Sequence, residues 1–331
     1  MAQIKISNEK QAFDYLEKVL HNQIGDESIE IVFDNWPLIT LRLEGKGYDS
    51  TITSEMASSI VELQYAVNRT FARVVHNTST ARTLTADEKK DIQFKAKVEK
   101  GSSLVTIDLG DYVQKLGLAI TDKMTPEMLA ITLIGVSVAA GTTLAVRAFV
   151  KHRSEQIAAD TEAKKLISLS QEETKRLEIF ASAMTRVPLL KKANEDFDVA
   201  RHEMVKSIGE ATSVTINSVK LDNESAKAIA STPRATSTQI QANGNYYIRE
   251  IKWLTDEVLL TLEDIGTKRS FKASFNDTSL KPTELAIIKE KEWSRGVVYL
   301  SINATELRGE ITSATIISVV AQPDEPSLRS E

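Results

Sequence analysis

Residues Met128 to Val150 read MLAITLIGVSVAAGTTLAVRAFV. From Met128 to Val146 no side chain is charged, a run of about 19 residues. At a rise of about 1.5 Å per residue this matches the roughly 30 Å hydrocarbon layer of a bilayer. A helix on the surface of a water-exposed fold keeps a polar stripe; here only Thr, Ser, Gly and Ala interrupt the aliphatic residues. Thr125 suits a helix cap and Pro126 a first turn, and Lys151, His152 and Arg153 close the run. This pattern predicts one transmembrane helix over 125–150. The competing expectation is a helix buried at the centre of a large oligomer.

On the amino-terminal side, residues 1–124 read as an α+β soluble domain. Phe13, Leu16, Val19 and Leu20 recur at helical spacing after Ser7, and Gly25 ends that helix. Strands are expected over 29–33 and 38–43, punctuated by Asp34, Asn35 and Pro37. After a Gly45–Gly47 turn, Met56, Ile60, Leu63, Val67, Phe71 and Val74 mark a long helix with one buried face. Strands over 92–98 and 104–109, joined at 99–103, and an amphipathic helix over 111–120 complete the domain. On the carboxyl side, 151–211 reads as a helical stalk with an irregular apolar seam, interrupted at Pro188. Residues 212–321 form a β-rich domain, a small β-barrel or sandwich, with strands over 214–219, 246–254, 258–264, 271–275, 297–303 and 314–320 and a short helix at 225–230. Residues 322–331 read as a disordered tail. The expected fold class is thus α+β: an N-terminal α+β domain, a single transmembrane helix, a helical stalk, and a C-terminal small β-barrel or sandwich.

The chain has 331 residues, a formal net charge of -5 and no cysteine. Disulfides, thiolate metal sites and thiol catalysis are excluded, and nucleic-acid binding would have to come from a local patch. The N-terminus lacks the apolar run of a secretion signal. Around the expected span the cations lie mostly on the carboxyl side, at Arg147, Lys151 and Arg153 against Lys115 and Lys123, which places that side in the cytoplasm. A single pass through the inner (plasma) membrane, with the soluble domains largely cytoplasmic, then requires a translocated amino-terminal tail, a re-entrant or conditionally inserted segment, or an oligomer core.

Catalytic signals are weak. His21, His76, His152 and His202 fall in different expected elements without ligand spacing, and neither a nucleophile arrangement nor a Walker loop is present. A non-enzymatic protein without cofactor or metal is expected. Two other patterns point to binding. Within the apolar run, Thr132, Gly135, Ala139, Thr142 and Thr143 recur on one face, where small residues allow close helix approach in lipid. That face predicts a homo-oligomer, for example a tetramer, packed in the lipid bilayer, whose hydroxyls could line a pore. In the carboxyl domain, Tyr247, Arg249, Lys252, Trp253, Lys268 and Arg269 combine aromatics with cations, with Trp293 and Arg295 further on. Aromatics stack bases and cations hold phosphates, so this group suits a single-stranded oligonucleotide or nucleotide. Alternation places Tyr247, Arg249, Ile251 and Trp253 on one face, which also fits a core face with a snorkelling Arg. A second ligand candidate is Arg69 with Arg73, beside Tyr65.

The segments Gly47-Tyr-Asp-Ser-Thr-Ile-Thr53, Glu62-Leu-Gln-Tyr-Ala-Val-Asn-Arg-Thr70, Arg82-Thr-Leu-Thr85 and Val98-Glu-Lys-Gly-Ser-Ser103 resemble those of a bacterial family of membrane-anchored proteins, over roughly the first 110 residues. The layout is similar to that of Hailong-type phage-defence membrane effectors. That resemblance implies a membrane protein held silent by a nucleic-acid oligomer from a partner nucleotidyltransferase, opening a pore when the oligomer is lost. The expected function is therefore a homo-oligomeric effector of bacterial anti-phage defence that depolarises the membrane. The alternatives are a non-catalytic membrane-anchored or phage structural protein, and a membrane-tethered enzyme without a readable motif.

Overall fold

A computed structural model describes residues 2–23, 29–78, 80–99, 103–157, 169–232, 238–254, 257–276, 279–307 and 310–321. The expected stop at Gly25, the middle of the stalk at 158–168 and the tail at 322–331 lie outside the described residues. The chain falls into two units, Met1–Thr232 and Pro233–Glu331, each with its own apolar core.

The first unit runs β1 (Ala2–Ile6), α1 (Glu9–Leu20), β2 (Ile29–Phe33), β3 (Leu38–Glu44), α2 (Ser54–His76), α3 (Ala86–Asp91), β4 (Ala96–Val98), β5 (Leu104–Asp108), α4 (Gly110–Ile120), α5 (Pro126–Gly141), α6 (Thr143–Gln156), α7 (Gln171–Arg186), α8 (Leu189–Lys206), β6 (Ser213–Ile216), β7 (Val219–Asp222) and α9 (Asn223–Ala230). Polar caps set most helix starts: the side chains of Asn8, Thr53, Thr85, Thr125, Thr142, Ser170 and Asp222 each accept a first-turn N–H. β1 and β2 pair in parallel, and β4-β5-β3-β6-β7 form an antiparallel sheet.

Five expectations change. The helix expected over 125–150 is two helices, α5 and α6, meeting at 61°. Thr142 leaves helical geometry, donates its hydroxyl to the Val138 carbonyl at 2.9 Å and accepts the Ala145 N–H at 3.1 Å, ending one helix and starting the next. Among the described residues no single helix is long and apolar enough to cross a membrane; the bent pair satisfies length and composition only when the two are taken together. Every residue of α5 from Ala130 to Gly141 is buried, packed by α1, α4, α7 and α8 and by β2 and β3. A helix that is apolar all round is a core helix or a membrane span, and here neighbouring protein supplies the apolar surroundings.

The stalk expected over 151–211 is also replaced. α7 and α8 belong to the same core, and α8 packs along α2 with Leu190, Ala193, Phe197, Ala200, Met204 and Val205 buried. The strand expected over 92–98 shrinks to β4, because Thr85 and Glu88 close a capping box that starts α3 and Ile92 buries its side chain where that helix ends. Finally, the boundary expected at 212 moves to 232. The expected strand over 214–219 is a hairpin, β6–β7, turned at Asn217 and Ser218 with positive φ, and β6 pairs with β3.

The second unit contains β8 (Thr238–Gln241), β9 (Gly244–Trp253), β10 (Val258–Asp264), β11 (Ser270–Phe275), α10 (Pro282–Ser294), β12 (Val297–Leu307) and β13 (Glu310–Ala321). β9, β10 and β11 form an antiparallel meander; β11 touches β13 in parallel; β12 and β13 form a hairpin; β12 returns to β9. The circuit 9-10-11-13-12-9 closes a five-stranded barrel, with β8 alongside the far half of β12. The inward side chains include Tyr246, Ile248, Leu260, Leu262, Phe275, Leu300, Ile302 and Ile316, and Ile288 of α10 joins them. A three-strand meander, an intervening helix and a two-strand hairpin closing on the first strand is the arrangement of an OB-type barrel.

Candidate nucleic-acid interface

The outer face of β9, β10 and β11 is built by alternation and one irregularity. Tyr246 and Ile248 point inward and are buried, so Tyr247 between them faces out. Pairing then slips: Thr261 faces Glu250 while Leu262 faces Ile248, leaving Arg249 as an extra residue. Such a bulge switches the side on which later residues project. Beyond it Ile251 is inward, opposite buried Leu260, and Lys252 is outward. Tyr247, Arg249 and Lys252 therefore share the outer surface, whereas Ile251 and Trp253 belong to the other side. The single face expected for Tyr247, Arg249, Ile251 and Trp253 is split by this one residue.

Arg249 lies over the Tyr247 ring at 4.9 Å, and the Lys268 ammonium lies 5.8 Å from the same ring centroid. Arg249 also donates through Nε and Nη2 to the two oxygens of Glu263, each at 2.9 Å. This fork holds the Glu263 carboxyl below the usual carboxylate range. Lys268 is delivered by a tight turn. Asp264 accepts the Thr267 N–H at 2.6 Å and its hydroxyl at 2.8 Å, and Lys268 itself takes a φ of +57°. The Thr267 N–H bond is the main reason that the Asp264 carboxyl sits low. Lys272 is exposed on β11 opposite Thr261, and Arg269 is exposed beside the turn. The result is an aromatic ring with two cations against it, flanked by Lys252 and Lys272.

The structure thus gathers Tyr247, Arg249, Lys252 and Lys268 on one surface, with Arg269 at its edge. Trp253 stands apart, half exposed, with the α10 residue Lys289 5.9 Å from its ring centroid. Lys272 and Glu263 were absent from the sequence-derived set. The alternation of exposed Ser270 and Lys272 with buried Ala273 and Phe275 was the available signal for Lys272; nothing local marks Glu263.

Arg69 and Arg73 are both engaged in ion pairs within the first unit. Arg69 Nε reaches Asp196 Oδ1 at 2.9 Å, Arg73 Nε reaches Asp196 Oδ2 at 3.0 Å, and Arg69 also pairs with Glu62 at 3.0 Å. They clamp α2 to α8. The small-residue face of the apolar run is likewise filled from within the chain. A side chain at Gly135 would meet Leu190 Cδ1 at 2.5 Å. The Ala139 carbonyl accepts from the Arg201 guanidinium, and Thr132 is buried with its hydroxyl on Met124 sulfur at 3.6 Å. Thr143 donates its N–H to Glu9 at 2.9 Å and its hydroxyl to the Asn217 carbonyl at 2.9 Å. Thr142 spends its hydroxyl on the bend.

No family model, curated protein or solved structure matches this chain. Among the described residues no group of three or more His, Cys, Asp or Glu side chains is placed to hold a metal ion.

Proposed function

We propose that the protein binds single-stranded nucleic acid, non-catalytically, on the outer face of β9, β10 and β11. The observation that carries this reading is the Tyr247 ring flanked by Arg249 and Lys268 on a closed barrel of OB-type strand order. A base stacks on an aromatic face regardless of its identity, and neighbouring cations neutralise phosphates, which suits an oligonucleotide without strong sequence preference. Glu263 occupies Arg249 in the free protein, so a phosphate must displace a carboxylate from the guanidinium fork. The test is anisotropy with labelled twelve-nucleotide DNA and RNA strands at low and moderate salt. Tyr247→Ala is expected to weaken binding about tenfold, in line with the loss of one stacked base. Equal affinity of wild type and Tyr247→Ala for both strands would remove the proposal.

A second reading keeps the membrane role. The bent α5–α6 pair has the length and composition of a broken span or re-entrant segment. It would have to leave the first unit's core to meet lipid, and an oligonucleotide could control that step only through different affinity for the two states. Self-assembly, a pore and a place in phage defence with a partner nucleotidyltransferase are extensions of this reading, supported by the layout alone. Flotation of the full-length protein with liposomes, with and without oligonucleotide, decides it: absence from the lipid fraction in both conditions rejects it.

A further inference from the structure

Two of the three tryptophans stand on the surface of the second unit: Trp253 is 54% exposed and Trp293 91%. Such large rings are highly buried on average, and Trp36 in the first unit is. Both exposed rings are tied to α10. Lys289 and Trp293 are four residues apart on this helix and so lie on one face, and Lys289 also reaches the Trp253 ring at 5.9 Å. Leu254, exposed next to Trp253, adds apolar surface. At the end of α10, Arg295 is exposed in a left-handed cap, and Val297 pairs directly with Tyr247 across the β9–β12 ladder. Four residues of chain cover at most about 14 Å, so Trp293 is tethered within a few nucleotides' length of the Tyr247 site.

We infer that Trp293, with Lys289 and Trp253, is a second stacking station for the same nucleic-acid strand, which leaves the barrel face at Tyr247 and continues along α10. This rests on the proposed function above. The chemistry is of the same kind as at the first site, an exposed aromatic face with a cation close by. It differs from a purely apolar docking patch in that a lysine accompanies it: Lys289 lies 5.9 Å from the Trp253 ring centroid and one helical turn before Trp293. Barrels of this order engage about 4–16 nucleotides, so a short strand fills the Tyr247 site and only a longer one reaches Trp293.

The experiment measures binding of four- and twelve-nucleotide thymidylate and uridylate strands to the full-length protein, by anisotropy and by quenching of tryptophan fluorescence. Wild type is expected to bind the longer strand with quenching, since two of its three tryptophans lie on the proposed path. Trp293→Ala is expected to weaken the twelve-nucleotide strand about tenfold and leave the four-nucleotide strand unchanged; Trp293→Phe, which keeps a stacking ring, restores most of the loss. Tyr247→Ala weakens both lengths. If Trp293→Ala binds both strands like wild type, or weakens both equally, the second station is wrong while the barrel site stands. If wild type binds neither length at low salt, both ideas fail together.

Discussion

Asp196 shows how single residues decide what a motif is for. Arg69 and Arg73 stand four apart on α2, a spacing visible in the sequence, yet their partner lies 127 and 123 residues away on α8. With 3% of its side chain exposed, Asp196 takes one arginine on each oxygen. Removing one member of a buried ion group leaves uncompensated charge. Asp196→Ala is therefore expected to cost about 3 kcal/mol, read as a lowered midpoint in denaturant titration. Its negative charge near Tyr112 also helps to push that phenol upward, after the larger effect of the phenol's own burial. Gly135 makes the same point sterically. A Cβ there would stand 2.5 Å from Leu190 Cδ1, with Cδ2 close behind. Gly135→Leu adds far more than a methyl, so the expected loss is about 3 kcal/mol, the upper range for overpacking, seen as a thermal shift of the first unit. If the same substitution left stability unchanged, α8 would not be seated where the structure places it. Small residues announced close approach in the sequence; they could not say whether the neighbour was a second copy, lipid or α8.

At the scale of elements, ends and irregularities carried most of the information. The cap residues were readable, and the helices starting after Thr53 and Thr125 begin where those residues stand. The break at Thr142 was not readable, because its second support comes from α1: the Glu9 carboxylate accepts the N–H groups of Thr143 at 2.9 Å and Leu144 at 3.3 Å, as an anion at a helix N-terminus does. Burial raises the Glu9 carboxyl above its ordinary 4.5, against the opposing pull of those two N–H groups and Arg176. The folded chain thus holds this proton to higher pH than the unfolded chain. The Glu9 contribution to stability is greatest below 4.5 and falls as pH rises through the window just above it. Carboxylates held low, such as Glu88 and Glu173, act oppositely and below that window. In Glu9→Gln the fall just above 4.5 should flatten, as measured by denaturant midpoint against pH. The bulge at Arg249 is the corresponding feature of the barrel. An alternating strand was legible over 246–254, but one unpaired residue reverses its two faces, and such a slip has no signature in composition. Because that bulge pairs Arg249 with Glu263, Glu263→Gln should release the guanidinium for phosphate. The expected outcome is tighter oligonucleotide binding with a salt slope steeper by about one.

For the whole molecule, the two separate cores predict two unfolding transitions in calorimetry. Asp196→Ala should lower one of them, and saturating oligonucleotide should raise the other, by about 2.7 kcal/mol at a hundredfold excess over Kd. A single transition moved by both changes would contradict the division at residue 232. The α+β character, the helices over 54–76 and 111–120 and a β-rich carboxyl unit followed from periodicity, because one-sided burial leaves a repeat of 3.6 or 2 in the chain; that its sheet closes into a barrel came from the strand order. The sequence alone also determined that 128–146 must be shielded from water on every side. Only the tertiary structure decided what shields it. Hydrocarbon and a protein core demand the same side chains, and the difference lies in Leu190, Arg201 and Glu9, which arrive from distant parts of the chain to cover, hydrogen-bond and cap what a lipid would have left to the helix itself.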